Sequence, residues 1–198
     1  MAIKFKKEEY SGKKPNIWPG TSKPLPGGFK PVQNIAVGTL VPEATPLYVD
    51  FDARTAAICK SATVLDGGTT SKVYVAKGTL FQVGDKIMKV GGTTLGEVAS
   101  VDTTNAAYDI INLNAAYTGL AKGDNIVEGV EKDGAVKAAY TPNAVTPVEK
   151  KFDGKGIDVL DAAYEAIVLY RNLPFPIVAN WKQGYCLKDN PGIKFITQ

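Results

Sequence analysis

From Gln33 to Tyr140 short apolar runs alternate with tight polar turns, a rhythm of many short strands. Ala36–Val41 is a β-prone run closed by Pro42, and Leu47–Asp52 alternates apolar and polar positions in its second half. Ala56–Cys59, Lys72–Val75, Lys86–Val90, Leu95–Val101, Tyr108–Leu113 and Asn125–Val127 follow. Turn clusters separate them at Asp66-Gly67-Gly68, Val83-Gly84-Asp85, Gly91-Gly92, Thr103-Thr104-Asn105 and Lys122-Gly123-Asp124. The core of one turn, Gly-Asp-x-Ile, occurs twice, at Gly84–Ile87 and at Gly123–Ile126. There Gly supplies an unusual backbone angle, Asp caps the turn, and the Ile enters the next strand facing inward.

Beyond a linker at 141–150 the period changes. Ile157, Leu160, Tyr164, Ile167 and Val168 fall at helical spacing, which predicts one helix. Asp153 or Gly154-Lys155-Gly156 starts it, Asp158 and Asp161 suit its positive end, and Pro174 and Pro176 forbid continuation. Phe175–Trp181 and Gly192–Ile196 read as closing strands. The expected fold is therefore mainly β: a small β-barrel or sandwich of short strands with one C-terminal helix and an extended N-terminal arm. Its segments are an arm at 1–33, a β-rich body at 34–140, and 141–198 as a linker, helix and closing strands in the same or an adjoining small domain. Leu169, Tyr170, Leu173, Phe175, Ile177, Trp181 and Phe195 are more apolar material than one short helix hides. Leu169 lies off the helix stripe, so Leu169, Tyr170, Leu173, Phe175 and Trp181 are the expected oligomer interface.

Charge sharpens the view of the N-terminus. The whole chain carries +3, too little for a nucleic-acid or membrane footprint across the protein. Residues 1–33 hold seven lysines against two glutamates, with five prolines and no strand or helix period, and the remainder is slightly acidic. Isolated aromatics in such a segment suit an arm that orders against a partner, because disordered tails are poor in aromatics. Tyr10, Lys13, Lys14, Ile17, Trp18 and Phe29 are its expected docking residues, and a chain beginning near Gln33 is expected to stay folded. No apolar run is long enough to span a membrane, and no apolar stretch follows the basic start as in a secretory signal. Cys59 and Cys186 are accordingly expected as reduced thiols in a protein assembled in a cytoplasm.

Candidate chemistry adds little. The chain has no histidine, which removes the commonest general base and metal ligand. Gly67–Lys72 lacks the Gly-Lys-Ser/Thr ending of a phosphate loop. Asp50 with Asp52, and Asp158 with Asp161 and Glu165, read as solvated acidic faces rather than acid–base pairs or a Ca²⁺ site. Trp181 with Tyr185 reads as packing rather than a sugar platform. No catalytic, cofactor or metal site is expected, and the chain reads as a non-enzyme that docks and oligomerises.

Several stretches together carry a resemblance: Gly38-Thr39-Leu40-Val41-Pro42-Glu43-Ala44-Thr45-Pro46-Leu47, the Leu80–Asp85 turn, Ala144-Val145, and Asn190-Pro191-Gly192-Ile193-Lys194-Phe195-Ile196. They look like head fibre or head decoration proteins of tailed bacteriophages, especially phages and prophages of gut Bacteroidales, over residues 33–198. The resemblance implies a structural virion protein, a homotrimer on the capsid exterior whose arm or base contacts the major capsid protein or another head protein. A host glycan at the distal part is a further partner left open. Two other classes stand beside it. A nucleic-acid-binding or ribosome-associated β-barrel is disfavoured by having only Arg54 and Arg171. A carbohydrate-binding module would rest on Trp181, Tyr185 and Tyr140.

Overall fold

The computed structural model describes residues 17–18, 22–25, 27–155 and 158–197. The protein is mainly β, and its strands fall into two regions that the chain visits in the order base, module, base.

The module occupies residues 61–138. Six strands pair in a circuit of neighbours: Ser61–Thr63, Asn125–Lys132, Lys86–Lys89, Gly96–Asp102, Tyr108–Leu113 and Lys72–Ala76. A bridge between Val64 and Val75 returns the last strand to the first, so the sheet curls on itself. Inward positions fill it with Val73, Val75, Phe81, Ile87, Val98, Ile111, Leu113 and Ile126. Asn125–Lys132 then turns at Asp133-Gly134, both at positive φ, into the hairpin strand Ala135–Ala138.

The repeated turn is built as its sequence requires. Gly84 and Gly123 sit at φ 87° and 88°. The Asp85 and Asp124 carboxylates accept the backbone N–H groups of Gln82 and Ala121, at 2.6 and 2.8 Å. Ile87 and Ile126 are both fully buried in the module core.

The base is a nine-stranded sheet assembled from distant stretches. Its path runs Lys182–Gln183, Cys186–Leu187, Asn190–Ile196, Ala163–Leu169, Ala144–Val145, Pro46–Asp50, Thr55–Ile58 and Lys30–Pro31, with Lys23–Pro24 added against Ala163–Leu169. Strands on both sides of residue 140 share this sheet, since Ala144 pairs with Leu47. The base is thus formed jointly by residues before and after the module.

The expected C-terminal helix is absent: Ala163–Leu169 is a strand, parallel to Asn190–Ile196. Ile157 lies outside the described residues. Ala163, Ala166 and Val168 point into the core while Glu165, Ile167 and Leu169 point out. Five apolar residues at helical spacing do not separate helix from strand when non-local pairing is available, and tertiary context outweighs a weak helix propensity. The closing strand expected at Phe175–Trp181 is likewise irregular chain ending in a 3₁₀ turn at Ala179–Trp181, while Asn190–Ile196 is the strand that closes the sheet.

Candidate docking surface

Ile17, Trp18 and Phe29 were expected on an arm apart from the body, and the structure seats them in it. Ile17 is buried, and its carbonyl accepts the Leu169 N–H at 2.8 Å. Lys23 and Pro24 pair with Glu165 and Ala163, and Phe29 exchanges backbone bonds with Leu160. Ile17, Lys23–Leu25 and Phe29 therefore lie as a strap antiparallel to 160–169. Phe29 is only 1% exposed, with Phe51 edge-on at 6.1 Å and the Arg54 guanidinium 4.8 Å from its ring centre. Trp18 is half-buried and donates its Nε1–H to Glu43 at 3.3 Å. Gln33 clamps the backbone of Ile58 through both ends of its amide, at 2.8 and 2.7 Å. The described residues between Ile17 and Gln33 are consequently part of the body: they supply backbone partners and a core aromatic to the base. Tyr10, Lys13 and Lys14 lie outside the described residues.

The expected oligomer residues divide in the same way. Trp181 is 2% exposed and Phe175 is buried; both fill cores of the single chain, so they are not available as a contact surface. Tyr170 packs edge-on against Phe195, with Lys182 over its ring, and Leu173 is half-buried beside it. The chain turns back after Asn172 and hides this apolar material itself, which a helix continuing straight would have left exposed.

Leu169 is the exception. It points away from the core, on the outward face of the terminal sheet, in register with Ile196. One pair along, Ile167 (48% exposed) faces Lys194. The Lys23–Glu165 ion pair, 2.8 Å, borders this apolar row, and Lys194 stands within it. Tyr164 and Tyr185 are also exposed. Sequence reasoning singled out Leu169 but missed Ile167 and Ile196. Ile167 was assigned to a buried helix stripe, and strand alternation turns it outward instead.

The other chemically suggestive residues are turn and strand furniture. Asp50 Oδ1 accepts the N–H groups of Asp52 and Ala53, capping a turn. Gly67–Lys72 forms a tight hairpin whose Thr69 and Lys72 bond each other's backbone. Asp158 pairs with Lys150 at 3.5 Å. Tyr140 stacks on Tyr48 with centroids 5.9 Å apart. Cys59 and Cys186 are both free thiols, and burial pushes Cys59 well above the usual thiol range. Among the described residues, no group of three or more Cys, Asp or Glu gathers as a metal-holding cluster, and no helix is long and apolar enough to cross a membrane.

The seam between base and module holds a second charged cluster, absent from the sequence reading. Lys60, at the crossing into the module, lies 2.6 Å from Asp85 and 3.7 Å from Glu128. Glu128 also accepts the Gln33 amide at 2.9 Å. Burial is the main cause that raises the Glu128 carboxyl above the usual carboxylate range, against the pull of Lys60. No protein-family model, curated protein or solved structure matches the chain.

Proposed function

We propose that this chain is a structural virion protein, a head fibre or capsid decoration protein that docks on a phage head as an oligomer and performs no turnover chemistry. The supporting observation is the outward face of the terminal sheet, where Ile167, Leu169 and Ile196 form an apolar row bordered by charges of both signs. A β-rich body with such a face has the makings of a packing unit, because neighbouring apolar residues open to solvent, Ile167 exposed and Leu169 and Ile196 partly so, mark interaction sites when rimmed by polar ones. In this reading the row is the self-contact of a homotrimer, replacing the buried Phe175 and Trp181 of the sequence-based interface.

Capsid contact falls to the residues ahead of the strap, including Tyr10, Lys13 and Lys14, with the exposed part of Trp18 beside them. Their lysines speed encounter with an acidic shell, while aromatics supply the affinity. The partner is the major capsid protein or another head protein, and the location is the capsid exterior. Peptide mass mapping of purified virions, with labelled antibody imaged by electron microscopy, tests the assignment. The expected result is several copies per head on the outer surface. Recovery of the protein only from soluble host fractions, free of virions, contradicts it.

A further inference from the structure

The seam cluster has the composition and placement of a self-cross-linking site. Lys60 immediately precedes the strand Ser61–Thr63, and Asp85 immediately precedes Lys86–Lys89. Both of those strands flank Asn125–Lys132, the strand that carries Glu128. The amine and one carboxylate therefore approach each other over a second carboxylate on the central strand. The three side chains are 4%, 14% and 17% exposed. The Lys60 Nζ lies 2.6 Å from Asp85 Oδ2. The Gln82 N–H holds that same oxygen, and the Gln33 amide holds Glu128 Oε2. Cys59 and Val127, the direct neighbours of Lys60 and Glu128, are buried, and Ile87 and Met88 are buried on the strand that Asp85 leads into.

We propose that Lys60 and Asp85 condense inside the folded chain into a side-chain amide, with Glu128 carrying protons between them. The reaction needs no co-reactant. The ammonium passes one proton to the neighbouring carboxylates, and the neutral amine lone pair attacks Asp85 Cγ, forming the N–C bond. The C–O bond then breaks, and that oxygen leaves as water with two of the hydrogens that began on nitrogen. The third hydrogen remains as the amide N–H. One positive and one negative charge disappear together, so net charge is unchanged.

Three physical factors favour the step here. The site is mostly shut from water, so hydrogen bonds across the pair are strengthened and the water that would hydrolyse the product back is scarce. The fold fixes the reactants in contact, which replaces a bimolecular encounter with an intramolecular one. Glu128, whose carboxyl burial raises above the usual carboxylate range, stands 3.7 Å from the Lys60 Nζ and can take a proton from nitrogen and return one to the departing Asp85 oxygen. The product is a covalent clasp between the crossing from base to module and the first Gly-Asp turn. It would hold the seam closed after its non-covalent contacts fail.

Intact mass spectrometry of the purified, denatured full chain tests this directly. The expected mass is that of the sequence less one water, and a protease digest should yield the peptides containing Lys60 and Asp85 joined to each other. Glu128→Gln and Asp85→Ala should show the full sequence mass and no joined peptides. The wild-type peptide map decides the matter even where a variant fails to fold. The full sequence mass in wild-type protein overturns the proposal. So does a water loss without the joined pair, as when an aspartate cyclises onto its own backbone.

Discussion

The module and the base are built from similar residues but on opposite principles. In the module, every pairing is antiparallel and within one continuous stretch, and its repeated turns carry their own instructions. Gly123 takes the positive φ, the Asp124 carboxylate closes the turn, and Ile126 enters the core. In the base, neighbours come from three separate stretches, and two of its pairings are parallel: Lys30–Pro31 with Thr55–Ile58, and Ala163–Leu169 with Asn190–Ile196. Parallel neighbours cannot be joined by a tight turn, so no local signal announces them. One region is a single antiparallel stretch, the other a sheet that distant stretches share.

The largest effect should come from breaking the strap. Phe29→Ala removes a core aromatic and is expected to cost about 3–5 kcal/mol. In hydrogen exchange the loss should fall first on Thr55–Ile58 and Ala163–Leu169, with the module strands protected longer; uniform loss across both regions would dissolve the distinction drawn here. The two Gly-Asp turns come next, being the same device in different surroundings. Asp124→Ala gives up a half-buried cap and its 2.7 Å pair with the partly exposed Lys89, and should cost about 1 kcal/mol. Asp85→Ala strips a partner from buried Lys60 and should cost about 3 kcal/mol or more. Equal losses in denaturant titration would place both turns in the same kind of environment.

A smaller effect is expected at the seam as pH changes. The folded protein raises the Glu128 carboxyl, so it holds a proton that the unfolded chain has already released. That contribution is complete below the ordinary glutamate value and is lost as pH rises through the folded one. Glu128→Gln should therefore flatten the fall in stability from mildly acidic toward neutral pH, and an unchanged slope would assign it to other groups. The smallest stability change belongs to the outward row. Ile167→Lys and Leu169→Lys should shift stability by no more than about 0.5 kcal/mol, while sedimentation shows the oligomer falling to single chains. If both variants sediment like the wild type, the self-contact lies elsewhere.

Legibility in the sequence followed the same divide. Module strands such as Lys72–Ala76, Lys86–Lys89 and Tyr108–Leu113 stand within a residue of where alternation and turn residues placed them. Ser61–Thr63 was missed because Ser-Ala-Thr carries no apolar period, and it exists by pairing with Asn125–Val127. In the base, the helical spacing of Leu160, Tyr164, Ile167 and Val168 falls on a strand flanked on both sides, with Ala162, Ala163 and Ala166 buried in and beside it. The strap carries no legible signal because two-residue strands leave no period, and its burial depends on partners well separated in sequence, from Phe51 and Arg54 to Leu160 and Leu169. Helical geometry separates Leu169 from Ile167, whereas strand alternation turns both outward. The Lys60–Asp85–Glu128 cluster was illegible for the same reason as the strap: nothing local relates its three members.

The central claim is that a folded body carries docking residues ahead of the strap, and pelleting with purified phage heads tests it most directly. Full-length protein and a variant lacking residues 1–16, which keeps Ile17, Phe29 and Gln33, would be compared at matched concentration after confirming equal melting temperatures. The account expects the full chain to pellet with heads and the shortened chain to remain in solution. Equal pelleting of both would place the docking surface in the body, and no pelleting of either would contradict the virion assignment itself.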